Sequence, residues 1–165
     1  MNKTLKSYLW LLPISGSIII SDRITKNLVT QNLAFGELWS PWRWLTPYAR
    51  VVHWYNTGIA FGMFQGQGVF LTILAIVVAV AILYYYPKFT GKDWMLRIAL
   101  GLQFGGAVGN LIDRLTIGHV TDFISIGNFP VFNIADMSIT VGAGLMILGV
   151  WLSEIHGKES KSLAE

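Results

Sequence analysis

The sequence predicts an all-α polytopic membrane protein, with four transmembrane helices and a small β-containing element on the outer membrane surface. Three observations predict it. Of 165 residues, 53% are hydrophobic and only 13% charged, and the mean hydropathy is +0.54. No charge falls between Arg50 and Lys88, between Arg97 and Asp113, or between Asp136 and Glu154. Uncharged stretches of this order suit helices of about 20 residues crossing a hydrocarbon core.

Taken in order, the apolar segments place spans at about 8–24, 69–86, 94–112 and 133–152, within a single domain of residues 1–157. Trp10, Trp94, Trp151 and the run Tyr84-Tyr85-Tyr86 fall at span ends, where amphipathic rings anchor at the headgroup layer. Residues 87–93 form a short polar turn between spans two and three. Residues 27–68 are too many for a turn and hold Trp39, Trp42, Trp44, Tyr48, Trp54 and Tyr55. Alternation around Ala49–Tyr55 reads as a strand, and so many rings call for burial somewhere. The glycines at 58, 62, 66 and 68 suggest a mobile lid over Tyr55–Gly68. The polar tail, 158–165, is expected to be disordered.

The N-terminal MNKTLK followed by an apolar run imitates a secretory signal, but no A-x-A-like site follows it. Lys3, Lys6, Lys88, Lys92, Arg97, Lys158 and Lys161 flank one side, and Arg23, Lys26, Arg43, Arg50 and Arg114 the other. The first set occupies the shorter flanks, so both termini are expected in the cytoplasm. A net charge of +3 comes without a basic patch suited to nucleic acid, and attraction to anionic lipid headgroups accounts for it. With no cysteine, thiolate catalysis and Cys-type metal sites are excluded.

Parity carries the functional reading. Alternate spans run in opposite directions, so the end of span one, the start of span two, the end of span three and the start of span four share one membrane face. Asp22-Arg23, Asn56–Gly62, Gly109–Arg114, Gly118–Phe123 and Phe132–Asp136 sit at those places. Polar groups gathered at membrane depth point to function. The pair Asp22 and Lys26, four apart, reads equally as a simple ion pair. Asn110 and Asp113 share a helical face, and Arg114 is placed to clamp a carboxylate. Asn133 suits an N-cap for span four. Asp122 and Asp136 have no cation between them; brought together in a low dielectric they would share a proton, as an aspartic-protease pair does. His53, His119 and His156 lack metal-site spacing, and Gly101, Gly105 and Gly109 form a small-residue ridge for helix packing.

The motifs S-D-R-I-T-K (21–26), N-T-G-I-A-F-G (56–62), G-N-L-I-D-R-L (109–115), G-H-V-T-D-F-I (118–124) and F-P-V-F-N-I-A-D (129–136) resemble those of the lipoprotein signal peptidases, signal peptidase II. The resemblance implies catalytic aspartates at Asp122 and Asp136. It implies that Asn56, Gly58, Asn110, Asp113, Arg114 and Asn133 shape the site and that Asp22 and Lys26 support it. It further implies diacylglyceryl-prolipoprotein substrates cut before the lipidated cysteine, a place in the bacterial cytoplasmic (inner) membrane with the active site toward the outer leaflet, no metal or other cofactor, a functional monomer and inhibition by globomycin. Ile59, where Ala is common, and Met137, where Ser is usual, depart from the family pattern. Two other classes remain open on the residues alone: a small transporter using the carboxylates as a proton relay, and a non-enzymatic assembly factor.

Overall fold

The computed structural model describes residues 3–58, 63–89 and 93–162. Four helices, α1 (Lys3–Asn32), α2 (Gly68–Phe89), α3 (Trp94–Thr116) and α4 (Ile134–Ser162), carry three strands, β1 (Leu38–Trp39), β2 (Ala49–Asn56) and β3 (Val120–Ile126). Among the described residues, Gly68–Lys88, Trp94–Thr116 and Ile134–Ile155 are long and apolar enough to cross a membrane. The chain is a mostly helical membrane protein with a small sheet at one end of the helices.

Helix α3 occupies the centre, and small residues let it do so. A methyl on Gly101 would meet Ile14 of α1 at 2.8 Å, and one on Gly105 would meet the Ser15 backbone at 3.0 Å. On its other side, a methyl on Gly106 would lie 2.5 Å from Ser138 Oγ of α4 and closer still to the Ala135 carbonyl. The glycine ridge expected to serve packing is therefore where α3 meets α1, and Gly106 extends the close approach to α4. At the opposite end of the helices, Leu11, Ile82, Tyr86 and Leu100 form a buried cluster.

The sheet is antiparallel in the order β1-β2-β3. Asn56 pairs with Val120 and Trp54 with Asp122, with an irregularity between Val51 and Trp54. The main chain of Phe132 bonds to Ile124 on the other edge of β3, pinning the start of α4 to the sheet.

Four expectations need correction. Helix α1 continues to Asn32, so residues 27–32 belong to it and not to the outer element. The charges near Asp22 end an apolar stretch without breaking a helix, and no Gly or Pro follows until Gly36, at φ +80°. Residues 120–126, which fall between the expected spans three and four with no element predicted for them, form a strand. Tyr86 is fully buried against the cluster beside Leu11 and is not an interfacial anchor, whereas Trp10, Trp94 and Trp151 are exposed. Finally, α4 runs on to Ser162, because nothing after Gly157 stops a helix up to that point. Ile59 and residues 59–62 of the glycine-rich stretch lie outside the described residues, as do 90–92 and 163–165.

Candidate active site

Strand β3 brings Asp122 to α4. Side chains alternate along a strand, so Val120 and Asp122 share a face with Asn56 of β2, while Thr121 points the other way. Asn56 Nδ2 donates to Asp122 Oδ2 at 2.8 Å, and its own Oδ1 accepts the Gly58 N–H at 2.9 Å.

Asn133 caps α4 as its position suggests. Its Oδ1 accepts the Asp136 N–H at 2.9 Å, and its N–H donates to Asp136 Oδ2 at 3.3 Å. This is a reciprocal capping box with an aspartate in the usual Glu/Gln place. The free end of the same side chain reaches sideways. Asn133 Nδ2 donates to Asp122 Oδ1 at 2.7 Å and also contacts Asn110 Oδ1 at 3.1 Å. Asn110 Nδ2 in turn donates to Asp136 Oδ1 at 2.7 Å. Each of the four carboxylate oxygens of Asp122 and Asp136 thus accepts a protein donor, and Asn133 touches both residues.

A cavity of about 460 Å³ opens beside them, lined by Asn56, Gly58, Asn110, Arg114 and Asp136 and by an apolar wall from Phe129–Phe132 and α4. Met137 is part of that wall. Asp122 is 1% exposed and reaches the lining through Asn56. Burial, and then the Asp136 carboxylate beside it, push Asp122 up to about 7. A carboxyl group that can take up or release a proton near neutral pH, beside a second carboxylate that lines a cavity, is equipped for general acid–base chemistry.

Beneath the pair lies a charged layer. Lys26 Nζ sits 2.8 Å from Asp22 Oδ2, 2.9 Å from Asp113 Oδ2 and 3.0 Å from Asn110 Oδ1. Arg23 pairs with Asp113 Oδ1. The Thr121 N–H donates to Asp113 Oδ2 at 3.1 Å, and the Ala135 N–H to Asp22 Oδ1 at 3.2 Å. Asp22, Lys26 and Asp113 are at most 1% exposed. The expected i, i+4 ion pair is present, and its lysine also reaches Asp113 and Asn110.

All ten predicted residues converge at this end of the helices, with one correction of role. Arg114 does not clamp a carboxylate; its Nη2 donates to the Gly58 carbonyl at 3.4 Å, because Arg23 and Lys26 already occupy Asp113. Arg23 and Thr121 were missed. Arg23 carried its own signal, since a cation at membrane depth needs a partner. Thr121 contributes through its backbone, which side-chain motifs do not show.

The profile of the signal peptidase II family matches residues 14–152. A lipoprotein signal peptidase of Dehalococcoides mccartyi is 39% identical over 150 residues, covering 88% of this chain and 91% of the relative. One from Shouchella clausii is 39% identical over 147 residues (87% and 93% covered), and one from Staphylococcus aureus 31% over 150 (88% and 90%). A solved bacterial membrane enzyme, determined by the in meso method at 2.3 Å, superimposes with a TM-score of 0.81 at 30% identity, covering 87% of this chain and 88% of that one. The chain therefore belongs to the signal peptidase II family of aspartic-type membrane endopeptidases.

Proposed function

We propose that this chain removes signal peptides from diacylglyceryl-modified prolipoproteins, cutting before the lipidated cysteine with Asp122 and Asp136 as the catalytic pair. The observation that carries the mechanism is the double contact of Asn133, which ties the Asp122 carboxyl group to Asp136, itself on the cavity lining. In the reaction, one carboxylate takes a proton from water as the water oxygen adds to the scissile carbonyl carbon. The other carboxylic acid gives its proton to the carbonyl oxygen. The gem-diol then collapses, the C–N bond breaks, and a proton passes to the departing amine.

In this reading α1 is a fourth crossing, residues 1–157 act as one peptidase unit, and both termini lie in the cytoplasm. Thirty helical residues extend about 45 Å, more than a hydrocarbon core of about 30 Å. With the N-terminus in the cytoplasm, the last turns of α1 would stand at headgroup level on the outer side. A diacylglyceryl anchor would hold the substrate cysteine at a matching depth. Trp39, Trp42, Trp44 and Tyr48, more than half exposed in the isolated chain, would lie in the headgroup layer. Asn56, Gly58, Asn110 and Arg114 line the substrate cavity; Asn133, Asp113, Asp22 and Lys26 hold the pair in place. A globomycin-type cyclic peptide would compete for that cavity. One chain supplies every group named, so a monomer suffices, without metal.

The test is cleavage of purified lipidated and unlipidated precursor by wild type, Asp122→Asn and Asp136→Asn. Cleavage of the lipidated form alone, with a loss of about 10²- to 10⁴-fold in each variant, is expected. Wild-type rates from either variant would falsify the pair.

A further inference from the structure

We infer that Lys26 is a positioning residue that acts through Asn110 to hold Asp136 as the ionised member of the pair, leaving Asp122 to carry the proton. This division of labour rests on the aspartic mechanism proposed above.

An asparagine amide presents an oxygen at one end and an NH2 at the other, and its surroundings decide which faces a carboxylate. Asn110 Oδ1 is held by Lys26 Nζ at 3.0 Å and by Asn133 Nδ2 at 3.1 Å, so Nδ2 is turned onto Asp136 Oδ1 at 2.7 Å. The flipped amide would press N–H groups against a buried ammonium. Asn56 and Asn133 are oriented likewise, yet their oxygens accept neutral backbone N–H groups. Of the three amides, Asn110 alone is backed by a full charge, which strengthens the hydrogen bond it donates.

Asp136 has two further advantages as the anion. It lies in the first turn of α4, where the helix dipole favours negative charge, and it lines the cavity, where Asp122 does not. Asp122 sits on a strand, receives two neutrally backed amides and is 1% exposed. Asp136 is therefore the base that takes the proton of the attacking water, and Asp122 the acid that protonates the carbonyl. The charged groups facing Asp136 are Lys26 and Asp22 on α1, Arg114 on α3 and Asp122 on β3.

The test is the pH profile of kcat/KM on lipidated precursor for wild type, Lys26→Met and Lys26→Arg. Asp22→Asn/Lys26→Met serves as a charge-balanced variant in case Lys26→Met alone does not fold. Loss of the ammonium is expected to move the acidic limb up by about one pH unit, lowering kcat/KM there roughly tenfold, mainly through kcat. Lys26→Arg keeps the wild-type limb. Infrared spectra taken well below pH 7, where burial alone keeps Asp122 protonated, should show a protonated-carboxyl band that Asp122→Asn removes and Asp136→Asn retains. An unmoved acidic limb in a folded variant without the ammonium, or loss of the band in Asp136→Asn, overturns the assignment. If both aspartate variants are inactive while the limb stays fixed, only the role of Lys26 fails; if either aspartate variant cleaves normally, the aspartic mechanism itself fails.

Discussion

Asn133 meets Asp122 at 2.7 Å with the Nδ2 of the side chain whose Oδ1 caps the Asp136 N–H at 2.9 Å. One residue thereby ends a loop, starts α4 and spaces two carboxyl groups. The two duties separate by mutation. Asn133→Ala should cost about 0.5–2 kcal/mol as a lost cap and also lower activity. Asn133→Ser should recover most of the stability, since Ser caps well, without restoring the donor to Asp122. Thermal unfolding set beside turnover checks this; activity that recovers with stability would show that the contact to Asp122 is idle.

Asp122 gives a pH signature. Its value in the folded chain, about 7, lies above the ordinary 3.8, so the folded state binds the proton more tightly than the unfolded one. The resulting stabilisation is fully present below about 3.8 and is lost as pH rises through about 7. Unfolding measured across that window should show wild type losing stability relative to Asp122→Asn. With Asp122 as the acid, turnover should also decline as pH rises through about 7. Parallel stability curves for the two proteins would contradict the raised value.

The buried charges predict a graded series. Asp113→Ala strands Arg23 and leaves buried Lys26 with Asp22 as its remaining carboxylate, and should cost about 3–5 kcal/mol. Arg23→Gln should cost much less, because the Arg23 side chain is 26% exposed and Lys26 still meets Asp113. Denaturant midpoints in detergent order the two variants. The reverse order would mean that the cluster is held chiefly from the Arg23 side.

Close packing around α3 gives a further check. A methyl at Gly106 has no room against Ala135 and Ser138, whereas one at Gly16 meets nothing within 4 Å. Gly106→Ala should destabilise by about 1–3 kcal/mol and reduce activity by displacing the start of α4. Gly16→Ala should be neutral or slightly stabilising through helix propensity. Equal melting temperatures for the two variants would argue against this packing.

The helices were legible because hydropathy gaps register bilayer thickness, and the site because costly groups collected where parity makes span ends meet. Other features were hidden for identifiable reasons. V-T-D-F-I-S-I reads as loop until β2 supplies a partner, because its inward and outward positions are both largely buried. The partner of Arg23, Asp113, lies ninety residues away. Arg114, adjacent to Asp113, looked like the natural clamp, but neighbours in a helix face different directions. Distance along the chain concealed the pairing, and proximity along it suggested a false one.

Residue order has a consequence for synthesis. Asp136 lies on α4, and its companion on β3 just before it, while the lysine beneath them arrives on α1. On the proposed mechanism, a ribosome-bound chain holds an incomplete and inert centre until α4 has threaded into the bilayer. Cutting power therefore arrives with α4, and a product truncated ahead of that helix lacks one member of the pair.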